Sequence, residues 1–386
     1  MDSSLFVAMA LGVAILTGSM ISVEIGLSVS VIEIVLGVAL GNTFDLTTPE
    51  WLVFLASFGS VVLTFLAGAE VDPEELRATW RSSLLIGSFS FAAPFTVALL
   101  VCRYAFGWDW PAAQIGGIAL STTSLAVVYA VLVESGLNAT GIGKQIMSAT
   151  FVTDLGTVGA LSVLFIHPNW WLAPFLVVSV ALIVVMPRLD GWFFARYGDR
   201  VIEPEIKGAF AALLVLMWLA DQSASQAVLP AFLLGLAVSR TFTRHRRVQD
   251  RFRVIAFGLL TPFFFLRSGM NVSLPLVYAN AGLLVVLLAV KLAAKSVAVY
   301  PLARLYHGPH AAFTTLLMST GLTFGTIAAT YGLTAGIITN AQFSVLVTVV
   351  VITAVLPTAI AQRLFSPDVA VELAQRDITG SLVPEQ

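Results

Sequence analysis

The chain has 386 residues, of which 58% are apolar and only 11% charged, with a mean hydropathy of +0.93 and a formal net charge of −2. Soluble domains carry about 25% charged residues, so this chain has too little polar surface for a soluble globule or a soluble enzyme. Disorder is excluded by the same hydropathy, the balanced charge offers nucleic acid no footprint, and the single cysteine, Cys102, excludes an intrachain disulfide or a thiolate metal site.

A bilayer-spanning helix needs roughly 20 mostly apolar residues. Taken in chain order, thirteen stretches qualify: about 4–23, 28–41, 51–69, 83–105, 112–134, 143–166, 171–187, 208–222, 226–239, 254–273, 277–303, 311–332 and 341–364. Those at 28–41, 208–222 and 226–239 are short for a crossing. No segment alternates polarity as a β-barrel strand would, so the expected fold is an all-α polytopic membrane protein. Lys and Arg collect in cytoplasmic loops. With the N-terminus outside and the C-terminus cytoplasmic, 16 of the 20 Lys and Arg fall on the cytoplasmic side, and the external loops hold only Arg103. A wrong span count would scramble that asymmetry. The basic cluster at 240–253 is read as this topology signal rather than as a lipid or regulatory site. Residues 1–366 are expected to form the transmembrane domain and 367–386 a short cytoplasmic tail, in a bacterial inner membrane.

Ionisable residues inside spans are expensive and mark function. Asp154, in GKQIMSATFVTDLGTVGALSVLFI, lies about ten residues from either end of its span, near the bilayer midplane. Desolvation there disfavours the charged form, so the group is suited to holding either a proton or a cation. Thr153 is favoured among nearby hydroxyls as an oxygen ligand, with Thr123 and Ser124 as further candidates; Ser148, Thr150 and Thr157 are equally explained by tight helix packing. Lys291 and Lys295, in LLVVLLAVKLAAKSVAVYPLARLY, are spaced i, i+4 and share one helix face. Lys295 is read as a functional charge partner, whereas Lys291, also a candidate gate or network residue, is expected to snorkel toward the external surface. Glu33 in VSVIEIVLGVALG, Glu70 beside Asp72 at a span end, and Arg267 in TPFFFLRSGMNVS are candidate gate or network residues, each equally or better explained as interfacial. The four histidines fall in loops or at span ends.

Two segments resemble each other: IALSTTSLAVVYAVLVESGL at 118–137 and LLMSTGLTFGTIAATYGLTAG at 316–336. Each is apolar, interrupted midway by helix-unfriendly residues, namely Ser121, Thr122, Thr123 and Ser124 in the first and Ser319, Thr320, Gly321 and Thr323 in the second. The expected topology runs them in opposite directions. Inverted repeats with broken helices point to a transporter site near the midplane. A carboxylate and a lysine, Asp154 and Lys295, can offset the partial charges of the exposed helix ends.

Taken together, these segments resemble the monovalent cation:proton antiporter superfamily, in the branch of Kef-type potassium/proton and sodium/proton exchangers. IEIVLGVALGN, LTFLAGAEVDPEELR, LVESGLNATGIGKQIMSATFVTDLG, LPAFLLGLAVS, TPFFFLRSGMNVS and KSVAVYPLAR carry the resemblance across nearly the whole chain. It implies a sodium/proton antiporter fold with inverted repeats and two crossed discontinuous helices. The transport part is expected at about 83–166 and 254–332, and the scaffold, by which members form homodimers, at about 1–69, 171–239 and 341–364. The implied activity is elevator-type exchange of Na+ or K+ for H+ serving pH homeostasis, with no cofactor. Asp154 falls on the family's ion-binding aspartate, where the monovalent cation binds, and Lys295 on its lysine. Family members that are electrogenic have Asp-Asp at this site and many electroneutral ones Asn-Asp. Thr153-Asp154 leaves one carboxylate and favours one-for-one, electroneutral exchange. Two alternatives stay open: a sodium-coupled symporter of organic anions on the same fold, and a non-transporting membrane sensor or scaffold.

Overall fold

The computed structural model describes residues 4–44, 48–71, 73–138, 140–166, 169–197, 203–365 and 367, and these are helical with connecting turns and no strand. In chain order the helices are α1 (Ser4–Ile25), α2 (Val29–Thr43), α3 (Glu50–Ala69), α4 (Pro73–Ala78), α5 (Trp80–Leu100), α6 (Trp110–Ser121), α7 (Leu125–Glu134), α8 (Gly141–Leu164), α9 (Leu172–Tyr197), α10 (Pro204–Gln222), α11 (Val228–Arg244), α12 (Arg246–Ile255), α13 (Thr261–Met270), α14 (Leu274–Ala279), α15 (Ala281–His307), α16 (Ala311–Met318), α17 (Thr323–Thr334) and α18 (Asn340–Leu364). A π-helical turn at Val101–Ala105 extends α5, and another at Ala256–Leu260 joins α12 to α13.

Each of the thirteen expected spans has its helix or helix pair. Nine stretches among the described residues are long and apolar enough to cross a membrane. The second span, α2, has 15 residues and α11 has 17, as their short apolar runs foretold. Three short helices were not expected. Of these α12 is the most informative, since it turns Val248 and Phe252 inward and leaves Arg246, Arg247 and Arg251 exposed, so the basic cluster is helical rather than a loop. Helix α9 also runs to Tyr197, well beyond its apolar run, because the i to i−4 backbone ladder continues wherever residues favour it, irrespective of the bilayer edge.

The chain forms two compact units. The first comprises Met1–Ile25, Ile32–Pro73 and Val158–Asn271, the second Gly26–Val31, Glu74–Thr157 and Val272–Gln386. This grouping differs from the expected transport and scaffold parts chiefly at α13 and α18. Helix α13 packs on α3 and so belongs to the first unit, and α18 packs on α14, α15, α16 and α17 and so belongs to the second. Helix α8 contributes to both, changing over between Thr157 and Val158. The expected tail, 367–386, lies outside the described residues apart from Pro367.

The first unit is held by close backbone approach. A methyl group on Gly68 would overlap the carbonyl of Phe232, and one on Gly235 the carbonyl of Phe65, so α3 and α11 cross with almost no side chain between them. Gly37 and Gly269 do the same for α2 and α13. Without a hydrophobic drive between helices in lipid, such small-residue contacts supply the attraction. Phe65, Phe210, Phe242 and Phe252 fill the adjoining space with centroids 5.0–5.9 Å apart.

The second unit contains two interrupted spans. Asp109 caps α6 by accepting from the Ala112 amide, but the helix stops at Ser121, and Thr122 and Ser124 are extended (ψ 151° and 110°) before α7 restarts. Consecutive Ser and Thr hydroxyls compete for the backbone groups a helix would use. Between α16 and α17 the break at Ser319–Leu322 has the same origin, aided by Gly321.

Candidate ion-binding site

The two breaks meet inside the second unit. Thr123 Oγ1 donates to the Met318 carbonyl at the end of α16 (2.9 Å). The Ser124 amide reaches Thr320 Oγ1 at 3.4 Å, and Ser124 Oγ lies 3.4 Å from Thr323 Oγ1. Ser121, Thr122, Ser319 and Thr320 turn their hydroxyls back to carbonyls of their own helices, at 2.7–3.2 Å. All of these residues are buried. The crossing expected from the repeat is therefore present, and its hydroxyls mostly replace hydrogen bonds the broken helices would otherwise lose.

Helix α8 brings Asp154 to this region. Gly87 of α5 lets α8 approach so closely that a methyl group there would meet Ala149 and Val152. Thr153 exploits the approach: its hydroxyl lies 3.1 Å from both the Gly87 and the Ala149 carbonyl. A hydroxyl sharing its one proton this way keeps its lone pairs for a cation. Thr150 and Thr157 hydrogen-bond to carbonyls one turn back in α8, and Thr150 also touches Met318 Sδ at 3.5 Å. Asp154 itself is 1% exposed, and its Oδ1 has no hydrogen-bond partner.

Lys295 completes the constellation. Its Nζ donates to Ser90 Oγ (2.7 Å) and Thr123 Oγ1 (2.9 Å). It lies near enough to Asp154 for the two to attract each other, although among the described residues no direct ion pair joins them. Thr123 thus accepts from Lys295 while donating to Met318, so its hydroxyl is committed in this state. Ser90 was not singled out by the sequence; one of four serines in α5, it carries no mark of its partner.

Lys291 departs from expectation. It does not snorkel but is wholly buried, and its Nζ has no hydrogen-bond partner. The tip lies against Gly321, where an added methyl would overlap it, beside Thr122. The cause is the i, i+4 spacing: the face that turns Lys295 toward α5 and α6 carries Lys291 inward with it. His307 ends α15, as expected, and is buried. Its Nδ1 lies 2.7 Å from Thr314 Oγ1 and its Nε2 2.7 Å from Gln145 Oε1, tying the ends of α15, α16 and α8 together.

The remaining candidates belong to the first unit. Glu33 is 1% exposed, with its side chain against α1 at Gly18, so it is not an interfacial carboxylate. Glu70 caps the end of α3 and pairs with Arg253 Nε at 2.8 Å. Burial pushes its carboxyl up from the ordinary range, and the guanidinium pulls the other way. Arg267 is half-buried with its Nε unpartnered. Asp72 and His167 lie outside the described residues.

Comparison with known proteins bears on this arrangement. A family model described as "Sodium/hydrogen exchanger, transmembrane" matches residues 10–365. The chain is 26% identical over 333 residues to a probable Na(+)/H(+) antiporter 3 of Methanocaldococcus jannaschii, covering 83% of this chain and 85% of that protein. It is 27% identical over 330 residues to a glutathione-regulated potassium-efflux system protein of Haemophilus influenzae, covering 81% of this chain and 53% of that longer protein. Among solved structures, the sodium proton antiporter MjNhaP1 from Methanocaldococcus jannaschii at pH 8 superposes with a TM-score of 0.69 at 12% identity, over 94% of this chain and all of that one. That similarity concerns the fold.

Proposed function

The chain belongs to the sodium/hydrogen exchanger family of multi-pass membrane antiporters, and from that premise we propose that it exchanges one Na+ or K+ for one H+ at Asp154. The observation that carries this reading is a single buried carboxylate with an unpartnered oxygen, set beside hydroxyls and two broken helices. A carboxylate excluded from water must be neutralised, either by its own proton or by a cation. Thr153, and Ser124 on the crossing, offer the neutral oxygens that a hard monovalent cation accepts. Because both loaded forms of Asp154 carry the same net charge, the exchange is electroneutral. Movement between outward- and inward-facing states, of the elevator type, is then permitted only when Asp154 is neutralised. Lys295, held by Ser90 and Thr123, keeps the empty carboxylate balanced between loads. The working unit is a homodimer, with the N-terminus outside and the C-terminus in the cytoplasm.

The test is a fluorescence-dequenching assay in proteoliposomes with Na+, K+ and Li+, with and without an imposed membrane potential. Wild-type protein is expected to exchange at a rate independent of the potential, and Asp154→Asn to be folded but inactive. Cation flux driven by a pH gradient in Asp154→Asn would sink the assignment.

A further inference from the structure

The interior of the second unit holds an uneven set of charges. Among the described residues it buries one carboxylate, Asp154, and two lysines, Lys295 and Lys291. Lys295 has two hydroxyl acceptors and the attraction of Asp154. Lys291 has neither: it is sealed, its Nζ makes no hydrogen bond, and Gly321 closes over it so tightly that not even a methyl group would fit. Of the elements packed on α15, α5, α6 and α16 present no ionisable side chain from their interiors, α14 carries Tyr278, the turn Gly308–His310 carries His310 beyond the far end of α15, and α18 carries Arg363 only in its last turn. The charged group that acts on Lys291 is Lys295, one turn away and repelling it. An ammonium without acceptors in such a place is far less stable than the free amine.

We propose that Lys291 is a charge gate within the ion site: as a neutral amine it lets the two broken helices close over it and leaves Asp154 free to hold a cation, and as an ammonium it excludes the cation and opens the crossing at Gly321. The gate rests on the reading of Asp154 as the cation site. It adds a second place where protons compete with the cation, one that acts by repulsion across the crossing instead of by occupying the carboxylate. The proton is gained from and returned to water when the crossing is open. Closure at Gly321 requires its loss. Acid thus inhibits the exchanger through Lys291 in addition to protonating Asp154, and a permanent charge at 291 holds the site in the cation-excluding state.

Exchange is measured against pH with full-length protein in proteoliposomes, alongside thermal stability and monodispersity in detergent. In Lys291→Met the acid limb of the activity profile is expected to move about one pH unit or more toward acid. Lys291→Arg, which cannot lose its charge, is expected to exchange about a hundredfold more slowly at every pH. Should Lys291→Arg fail to fold, the Met profile still decides. An unchanged acid limb in Lys291→Met overturns the gate. If that result appears while Asp154→Asn is inactive, the gate alone falls. If Asp154→Asn remains active, the cation-site reading falls with it.

Discussion

The two units are made from the same apolar helices and share close glycine contacts, but the second adds a means of its own. In the first, helices meet backbone to backbone at Gly68, Gly235, Gly37 and Gly269, and phenylalanines fill what remains. Its long helices run through their full length. In the second, two spans stop halfway, and their loose ends are stitched by threonine and serine hydroxyls and by Lys295. A continuous helix satisfies its own backbone and leaves nothing over for chemistry. A broken one exposes polar groups that must be answered by side chains, and those side chains become available to an ion. The difference between packing and chemistry is thus written in where the backbone is allowed to stop.

The largest effects should separate the units by kind. Asp154→Asn is expected to reduce exchange to background while the melting temperature moves by only a few degrees, because the amide occupies the same volume. Gly235→Leu is expected to do the opposite. Driving a side chain between α3 and α11 costs about 1–3 kcal/mol or more, so thermal denaturation should shift markedly and yield should fall. Any activity of the protein that survives should keep its ion dependence. If Gly235→Leu altered ion dependence at unchanged stability, the division of labour would be wrong.

Much of this could be read without coordinates. Asp154 stood out because one carboxylate near the middle of an apolar run has no other business there, and the two breaks announced themselves as hydroxyl clusters in matching places. What escaped was whatever depended on rotation or partnership. Lys291 looked like a snorkelling residue because its distance from the helix end is legible, but the face it shares with Lys295 is buried and only packing reveals that. Ser90 was invisible for the complementary reason: a hydroxyl's importance lies in the ammonium it meets 205 residues away. The grouping of α13 and α18 also went the other way, since span order along the chain does not dictate which neighbours a helix chooses.

Smaller effects test the stitching itself. Thr153→Val keeps the shape but removes the hydroxyl shared by the Gly87 and Ala149 carbonyls. It is expected to cost about 1 kcal/mol of stability and, if the oxygen is a ligand, to weaken apparent cation affinity about tenfold, a loss of one good polar contact. Equal affinity in Thr153→Val would remove Thr153 from the ligand set while leaving its packing role. Ser90→Ala withdraws one of the two acceptors of Lys295. A hydrogen bond to a charged group is worth about 1.5–3 kcal/mol, and part of that should appear as slower exchange, because Asp154 then faces a less firmly held partner.

The smallest change is expected in the first unit, at Arg253→Gln. The Glu70–Arg253 pair is well formed at 2.8 Å, but its side chains are 22% and 34% exposed, and pairs that solvent reaches contribute about 0–1 kcal/mol. Thermal stability should fall by no more than that, with exchange and ion affinity unchanged. The sign with pH is informative. Burial raises the Glu70 carboxyl and Arg253 opposes the rise, so losing the arginine lets the proton stay on Glu70 to higher pH. The variant should therefore lose most relative to wild type at neutral and alkaline pH, where the wild-type pair is ionised, and converge with it in acid as Glu70 is protonated in both. Stability curves for the two proteins that stay parallel across pH would mean that the pair does not act electrostatically, and that Arg253 serves the end of α3 through packing alone.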